Sequence, residues 1–354
     1  MKIILTGGGT AGHVMPNIAL LPALRAAGFE ISYIGSRGGM EQDIVEKAGL
    51  PYYGISSGKL RRYLSAKNIT DAWRVVRGVG QARKIIRRIG PDIVFSKGGF
   101  VAVPVVLAAR LAKVPVVIHE SDITVGLANK LCIPHAARVC CVFPETMAQI
   151  PKAKARLAGT PIRQEIFEGS RIKGLALCGF EDEKPVMMVM GGSQGSVVVN
   201  ECVRAALDDL LITFNVVHMC GAGNVDETAG RAGYVQFDYA GENMGHFYAA
   251  ADIVLSRAGA NSLGELLALA KPHVLVPLSK KASRGDQILN AKSFEGQGFS
   301  VVIDEEALTA EVLVQKMLET YENRGKYAAA MKKSGTENGI DAIVKIIQEV
   351  VKVK

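Results

Sequence analysis

Leu5-Thr6-Gly7-Gly8-Gly9-Thr10-Ala11-Gly12-His13-Val14-Met15-Pro16 follows directly on a short apolar run at the start of the chain. The stretch reads as a strand entering a glycine-rich turn. A helix is expected to leave it from about Pro16, because proline is tolerated in a first helical turn. Glycines let backbone N–H groups converge near a helix N-terminus, where phosphate is favoured. A loop that only held phosphate would have no need of the titratable His13 in the turn. Gly7, Gly9 and Gly12 also satisfy the Gly-x-Gly-x-x-Gly spacing of a dinucleotide site, which further needs an acid about 20 residues on, at the end of the second strand. Here that strand, Ile31-Ser32-Tyr33-Ile34, runs into Gly35-Ser36-Arg37. The acid is missing, which makes an NAD-dependent oxidoreductase a distant reading.

Outward from this turn, apolar strands alternate with helical patterns. Strands are expected at 2–5, 31–34, 93–95, 114–118 and 139–142, with helices between them at 18–27, 40–48 and 103–111. This is the signature of a parallel sheet covered on both faces. The pattern restarts after Gly159-Thr160-Pro161. A strand at 185–190 leads into a second glycine turn, Gly191-Gly192-Ser193-Gln194-Gly195-Ser196, and a helix is expected over 197–210. Later strands are expected at 215–219, 252–255, 273–276 and 300–302. The reading is an α/β protein of two doubly wound domains, 1–160 and 161–340, facing each other across a ligand cleft. An amphipathic helix over 341–354 is expected to pack back on the first domain.

With 354 residues the chain has room for two domains. No apolar run reaches the roughly 18–20 residues of a membrane span, and Met1-Lys2 leads straight into a core strand, so no secretory leader is expected. The six cysteines, at 132, 140, 141, 178, 202 and 220, include no C-x-x-C pair. They read as reduced core residues of a cytoplasmic protein, not as a zinc site. The net charge of +8 is uneven: residues 1–163 hold 23 Lys/Arg against 9 Asp/Glu, and the remainder 19 against 25. The basic half calls for an anionic partner. Its densest stretch, 59–88, interleaves basic residues with Trp73, Val75, Val76, Ile85 and Ile86. The apolar residues could be a helix's core face, but the patch as a whole suits an anionic lipid surface. Nucleic acid fits less well, since stacking aromatics are nearly absent.

Three further segments carry chemistry. Ser96-Lys97-Gly98-Gly99-Phe100 lies between a strand and a helix. His119-Glu120-Ser121-Asp122 follows the strand expected at 114–118 and puts three titratable groups at the same sheet edge. In the stretch from Ser256 to Leu267, Ser262 and Glu265 have capping-box spacing, so Glu265 could merely satisfy a helix end. The alternative is that its carboxylate accepts two ribose hydroxyls near a helix N-terminus that attracts diphosphate, with Arg257 and Arg163 adding charge against the same anion.

These motifs, in this order, make the chain similar to the MurG family of bacterial N-acetylglucosaminyltransferases over nearly its whole length. The resemblance rests on 7–13, 98–100, His119-Glu120, 159–163, 191–195, 256–260 with Glu265, and Asp286-Gln287 with Asn290-Ala291. It implies a GT-B glycosyltransferase of family 28. The donor UDP-N-acetylglucosamine would bind mainly to the second domain. The acceptor would be undecaprenyl-diphosphate-linked MurNAc-pentapeptide, presented at the cytoplasmic face of the cell membrane. The enzyme would be peripheral there, alongside other cell-wall synthesis proteins, and would serve cell shape and division.

By the same resemblance Glu265 is the ribose ligand, Ser193 and Arg163 meet the diphosphate, Gln287 and Asn290 meet the sugar hydroxyls, and Met244 lines the uracil pocket. Thr10 and Gly12 are also placed near the donor, and Thr10, His13, Phe100, His119, Glu120 and Asp122 on the acceptor side. Phe100 stands where many members have Tyr, Asp122 where Asn is frequent, and Asp286 where Gln or His is frequent. The expected mechanism is inverting displacement by the acceptor's 4-hydroxyl. His13 is the first candidate base, since its unperturbed pKa near 6.5 suits that task, with Glu120 and Asp122 as rivals. Backbone N–H groups of the second glycine turn and Arg163 would stabilise the leaving UDP. No metal or other cofactor is expected, and the chain has no Asp-x-Asp motif. A UDP-N-acetylglucosamine 2-epimerase of the same fold and a non-catalytic UDP-sugar-binding module remain as alternatives.

Overall fold

Residues that alternate between the two faces of a central strand must be apolar on both when both faces are covered. In a computed structural model, which describes residues 1–58, 67–181, 183–192, 195–281, 283, 285–335 and 338–352, this pattern repeats twice. The chain divides into two units, Met1–Arg163 with Asn338–Lys354, and Gln164–Glu337.

The first unit holds seven strands: β1 (Lys2–Thr6), β2 (Glu30–Ser36), β3 (Tyr52–Ile55), β4 (Ile93–Ser96), β5 (Val116–Glu120), β6 (Arg138–Cys141) and β7 (Ala155–Leu157). Their order is β3-β2-β1-β4-β5-β6-β7, and every neighbouring pair is parallel. Ile4, Ile34, Val94, Ile118 and Val139 face one core. Ile3, Leu5, Phe95, Val117 and Cys140 face the other. The helix Ile340–Lys352 completes that second core, burying Ile343, Ile346, Ile347 and Val350 at helical spacing.

The second unit holds β8 (Val186–Met190), β9 (Asn215–Met219), β10 (Tyr234–Phe237), β11 (Ile253–Ser256), β12 (His273–Leu275) and β13 (Val301–Val302). All are parallel, in the order β10-β9-β8-β11-β12-β13. Met187, Val189, Val216, Ile253, Leu255 and Val274 pack there beneath helices Val197–Ala205 and Ala310–Glu322.

In both sheets the strand order reverses between the first strand and the fourth, β1/β4 and β8/β11. Ligands of open α/β sheets bind at such switch points, outside the carboxyl ends of the strands. The two glycine turns lie at these points.

Several expected elements shift. Strands β3, β7 and β10 were not anticipated, and each is a sheet edge; an edge strand lacks the two-sided apolar run that marks a central one. The helix expected over 197–210 is two, Val197–Ala205 and Leu207–Thr213. The strand expected at 114–118 begins at Val116, after Lys113 at φ 58° and Pro115, which has no N–H to donate. His119 and Glu120 therefore end the strand instead of following it. All six cysteines are free, and all but Cys202 are buried.

Candidate active site

In the first unit, the helix Ala11–Ala19 begins directly after Thr10, and Pro16 lies well inside it. Gly9, at φ 86°, turns the chain; the glycine, not the proline, sets the helix start. His13 is thus in the first helical turn, half-buried, with its Nδ1 2.8 Å from the Thr10 hydroxyl. Beneath the turn sits an acid the sequence reading missed. Glu41 is fully buried; it accepts hydrogen bonds from the N–H of Ser36 at 2.7 Å and of Gly9 at 3.3 Å. A Cβ on Gly8 would collide with its carboxylate. The Gly9 N–H of the turn expected to cradle a phosphate is thus already donated inside the fold, to the Glu41 carboxyl. The absent acid at the end of β2 has its counterpart in Glu41, which braces the loop from the following helix.

The Gly98-Gly99 turn after β4 has both glycines at positive φ, and a Cβ on Gly99 would strike the backbone of Gly8. The two turns are therefore packed together, with half-buried Phe100 following them. Lys97, which the sequence places in a chemistry-bearing segment without a role of its own, is 2% exposed and donates to Ser121 Oγ. Burial lowers its pKa to about 8, against the pull of Glu120 and Asp122.

Two residues expected on the acceptor side are drawn into the fold. His119 is fully buried, its Nε2 2.9 Å from the Gly159 carbonyl. Burial, then the nearby Lys97, holds its pKa well below the ordinary value. It is neutral at ordinary pH and buried. Glu120 is 5% exposed and accepts three hydrogen bonds, from the N–H of Asp122 at 3.2 Å, the N–H of Gly126 at 2.9 Å and Asn129 Nδ2 at 2.9 Å. Burial pushes its carboxyl pKa up in spite of these donors. Its oxygens accept from the 121–126 loop and from Asn129, so in this structure the carboxyl shapes that loop. Asp122 is half-buried on that loop, and its backbone carbonyl accepts from Thr146 at 3.1 Å. The Thr10–His13, Lys97–Phe100 and Glu120–Asp122 segments thus share one carboxyl edge, since β1, β4 and β5 are adjacent.

In the second unit, Gly192 and Gly195 take positive φ, and a Cβ on Gly195 would collide with the Cys220 carbonyl. Ser196 caps the helix that follows, accepting from the Val199 N–H at 3.3 Å. Ser193 lies outside the described residues. Arg257, expected to face a diphosphate, is 7% exposed and already committed. It donates to Ser196 Oγ at 2.6 Å, to Glu305 Oε1 at 2.5 Å and to the Val276 carbonyl at 3.1 Å. Burial alone would raise the Glu305 carboxyl; hydrogen bonds from Arg257 and Ser279 bring its pKa below the usual range. Arg257 braces the glycine turn from beneath.

Glu265 does not cap a helix end. Its helix, Ala260–Ala268, starts after Gly259 with no side-chain cap, which places Glu265 in the second turn. There Oε2 accepts from the Tyr248 hydroxyl at 2.9 Å. Tyr248 lies one helical turn beyond half-buried Met244 in the helix Met244–Ala250, so the residues expected at the uracil and the ribose share one edge of the unit. Gln287 Oε1 accepts from the Leu278 N–H at 3.0 Å. Asn290 is fully buried and donates to the Ala258 carbonyl at 3.3 Å, which ties its helix to the loop after β11. Arg163 closes the first unit, half-buried. Among the described residues, no group of three or more His, Cys, Asp or Glu is placed to hold a metal ion.

In the helix Lys67–Ile89, Gly78, Ala82 and Ile86 form the core face. A Cβ on Gly78 would strike the Ser56 carbonyl. Trp73 is 73% exposed and Val76 66%, beside exposed Arg74 and Arg77. Residues 59–66 of the basic stretch lie outside the described residues. No helix among the described residues is long and apolar enough to cross a membrane.

Residues 3–141 match the glycosyltransferase family 28 N-terminal domain, and 186–347 the family 28 C-terminal domain. The UDP-N-acetylglucosamine–N-acetylmuramyl-(pentapeptide) pyrophosphoryl-undecaprenol N-acetylglucosamine transferase of Lachnoclostridium phytofermentans is 56% identical over 350 residues, covering 99% of each chain. The Clostridium tetani protein of the same name is 56% identical over 349 residues, covering 98% of each. The structure of Acinetobacter baumannii MurG superposes with a TM-score of 0.77 at 26% identity, covering 98% of this chain and 99% of that one. A UDP-GlcNAc 2-epimerase from Neisseria meningitidis, solved with UDP-GlcNAc, superposes at 0.68 over the full length of both chains but is 12% identical, a likeness of fold alone.

Proposed function

The chain belongs to glycosyltransferase family 28, and from that premise we propose that it transfers N-acetylglucosamine from UDP-GlcNAc to the 4-hydroxyl of MurNAc in undecaprenyl-diphosphate-MurNAc-pentapeptide. It is an N-acetylglucosaminyltransferase of the GT-B fold, and its product is a lipid-linked peptidoglycan precursor. The observation carrying this reading is 56% identity over 99% of the chain to a transferase of that name. The epimerase alternative rests on fold likeness alone.

The donor binds the second unit. Glu265, steered by Tyr248, takes the ribose; Met244 flanks the uracil, and the 191–196 turn meets the diphosphate. Arg257 acts through the turn it braces. As the anomeric bond breaks, negative charge grows on the leaving UDP. Backbone N–H groups at the start of the Val197–Ala205 helix, and Arg163, stabilise it. Fixed donors of this kind make transfer independent of added metal.

The acceptor binds the first unit, at the edge shared by Thr10, His13 and Asp122. His13 removes the proton of the attacking hydroxyl. For Nε2 to accept that proton, Nδ1 must carry its hydrogen and donate to the Thr10 hydroxyl. The Thr10 contact thus selects the tautomer. Asp122 orients the acceptor.

The lipid substrate implies work at a membrane surface. Trp73 and Val76, exposed among arginines, support peripheral docking on anionic lipid at the cytoplasmic face. Supply of this precursor couples the enzyme to other cell-wall synthesis proteins, and through them to cell shape and division.

The test is UDP release from UDP-GlcNAc in EDTA, with and without a short-chain lipid-linked MurNAc-pentapeptide. Acceptor-dependent release supports the transfer and its metal independence together. Conversion of the donor to its 2-epimer, without transfer, would replace this reading with the epimerase.

A further inference from the structure

A lysine is seldom buried to 2% exposure without a specific partner. Lys97 stands at the carboxyl end of β4, beside the switch point. Its N–H donates to the Thr6 carbonyl at 2.9 Å, and its Cβ lies 3.2 Å from where a Cβ on Gly7 would be. Its ammonium donates to Ser121 Oγ. One side chain therefore spans from the first glycine turn to the loop that carries Asp122.

We propose that Lys97 is a positioning residue for the acceptor reaction, holding the Ser121–Asp122 loop against the Gly7–Thr10 turn and supplying the positive charge that Asp122 faces. The inference rests on the transferase reading.

The groups around the ammonium set the sign of its effect. From β5 come His119, which is neutral, and Glu120; the loop brings Asp122. Behind them on β6, the Cys141 thiol is pushed up to about 12 by burial and by Glu120, so it stays uncharged at neutral pH. The adjacent glycine turn brings His13 at the start of its helix and, beneath Gly8 and Gly9, the buried Glu41. Among the described residues, the charges acting on Lys97 are the two carboxylates Glu120 and Asp122. Below about pH 8 it is charged and the loop is held; above, the charge is lost and the loop is released.

A charged group that holds a site against its own desolvation leaves opposite marks on activity and stability. Burial lowers the folded-state pKa of Lys97, so between about 8 and 10.5 the unfolded chain binds more protons than the folded one. On this group's account, stability rises with pH through that window. Acceptor kcat/KM falls through the same window. A lysine that merely filled space would produce no such fall.

The experiment is the pH profile of kcat/KM for a short-chain lipid-linked acceptor, in wild type and in Lys97→Met, with UDP affinity as a control on the second unit. The expected result is an alkaline limb near pH 8 in wild type. In Lys97→Met the limb should be absent and acceptor kcat/KM lowered at least tenfold at pH 7, with UDP affinity within twofold of wild type. Ser121→Ala, which removes the hydrogen-bond partner but no charge, should lower acceptor kcat/KM several-fold and keep the limb. If Lys97→Met does not fold, the wild-type limb and the Ser121→Ala result decide. A wild-type profile flat from pH 7 to 9.5, or a Lys97→Met enzyme with wild-type acceptor kinetics, would overturn the proposal. Failure of wild type to use the acceptor at any pH would instead overturn the transferase reading.

Discussion

The Tyr248 hydroxyl lies 2.9 Å from Glu265 Oε2, joining the helix that begins at Met244 to the helix after β11. The two residues are 17 positions apart, and nothing in their local sequence pairs them. The contact fixes the direction in which the carboxylate points and leaves the helix start at Gly259 without a side-chain cap. Tyr248→Phe should raise the donor KM roughly 5- to 20-fold with a smaller change in kcat, the scale of a lost hydrogen bond to a charged group. Initial rates at varied UDP-GlcNAc check this; an unchanged donor KM would remove Tyr248 from the donor site.

Arg257 and Glu305 form a buried ion pair, with side chains 8% and 12% exposed. Removing one partner leaves an uncompensated buried charge. Glu305→Ala should therefore destabilise the fold by about 3–5 kcal/mol. The paired replacement Arg257→Met with Glu305→Leu should recover much of that loss, because no lone charge remains. Thermal unfolding of the three proteins tests the assignment. If Glu305→Ala melts like wild type but binds UDP poorly, Arg257 meets the diphosphate after all.

His13 and Thr10 form a pair in which each depends on the other. His13→Ala should lower kcat by at least about 100-fold, the lower end of general-base contributions. Thr10→Val should lower it about tenfold, through loss of the tautomer and ring orientation. A folded His13→Ala protein with near-normal turnover would pass the base role to Asp122.

Two histidines of the second unit should make the fold acid-labile. Burial lowers the pKa of His273 to about 4, and burial with Arg204 nearby lowers that of His218 to about 3. In the unfolded chain both titrate near 6.5. The folded state thus binds fewer protons as pH falls below 6.5, and stability present above that pH is lost toward the folded values. The His273 shift alone corresponds to about 3 kcal/mol when fully expressed. The melting temperature should fall steadily from pH 6.5 to 4, and less steeply in His273→Leu. Equal slopes in both proteins would show that His273 is not the source.

Trp73 and Val76 provide the exposed apolar part of a basic helix. Trp73→Glu combined with Val76→Glu should abolish co-sedimentation with anionic phosphatidylglycerol vesicles while leaving transfer to a soluble short-chain acceptor unchanged. Undiminished sedimentation would move the membrane contact elsewhere on the protein.

The central strands were legible because β1, β4, β8 and β11 are buried on both faces, and such strands appear as unbroken apolar runs. The edge strands β3, β7 and β10 were not, since half-exposed edges blend with their loops. In the site, His13 and Asp122 could be singled out as titratable groups near glycine turns. Glu41 and Glu305 could not, and Lys97 was named within its segment without a role, because a single acid or lysine in a helix or at a strand end looks like ordinary surface. Glu120 and His119 were placed one step too far along the chain, a consequence of a β5 boundary read two residues early.

By itself, the sequence determined the two parallel-sheet units, a glycine turn at the carboxyl end of the first strand of each, and the family. These depend on local apolar periodicity and on contiguous motifs. Only the tertiary structure decided which ionisable side chains are engaged inside the fold: Arg257 on Glu305, Glu41 on the first glycine turn, Glu120 on its own loop and Lys97 on Ser121. The physical reason is burial. A charge removed from water must find a partner, that partner is usually distant in the chain, and only the folded coordinates show whether a side chain was drawn inward or remains at the edge for a substrate.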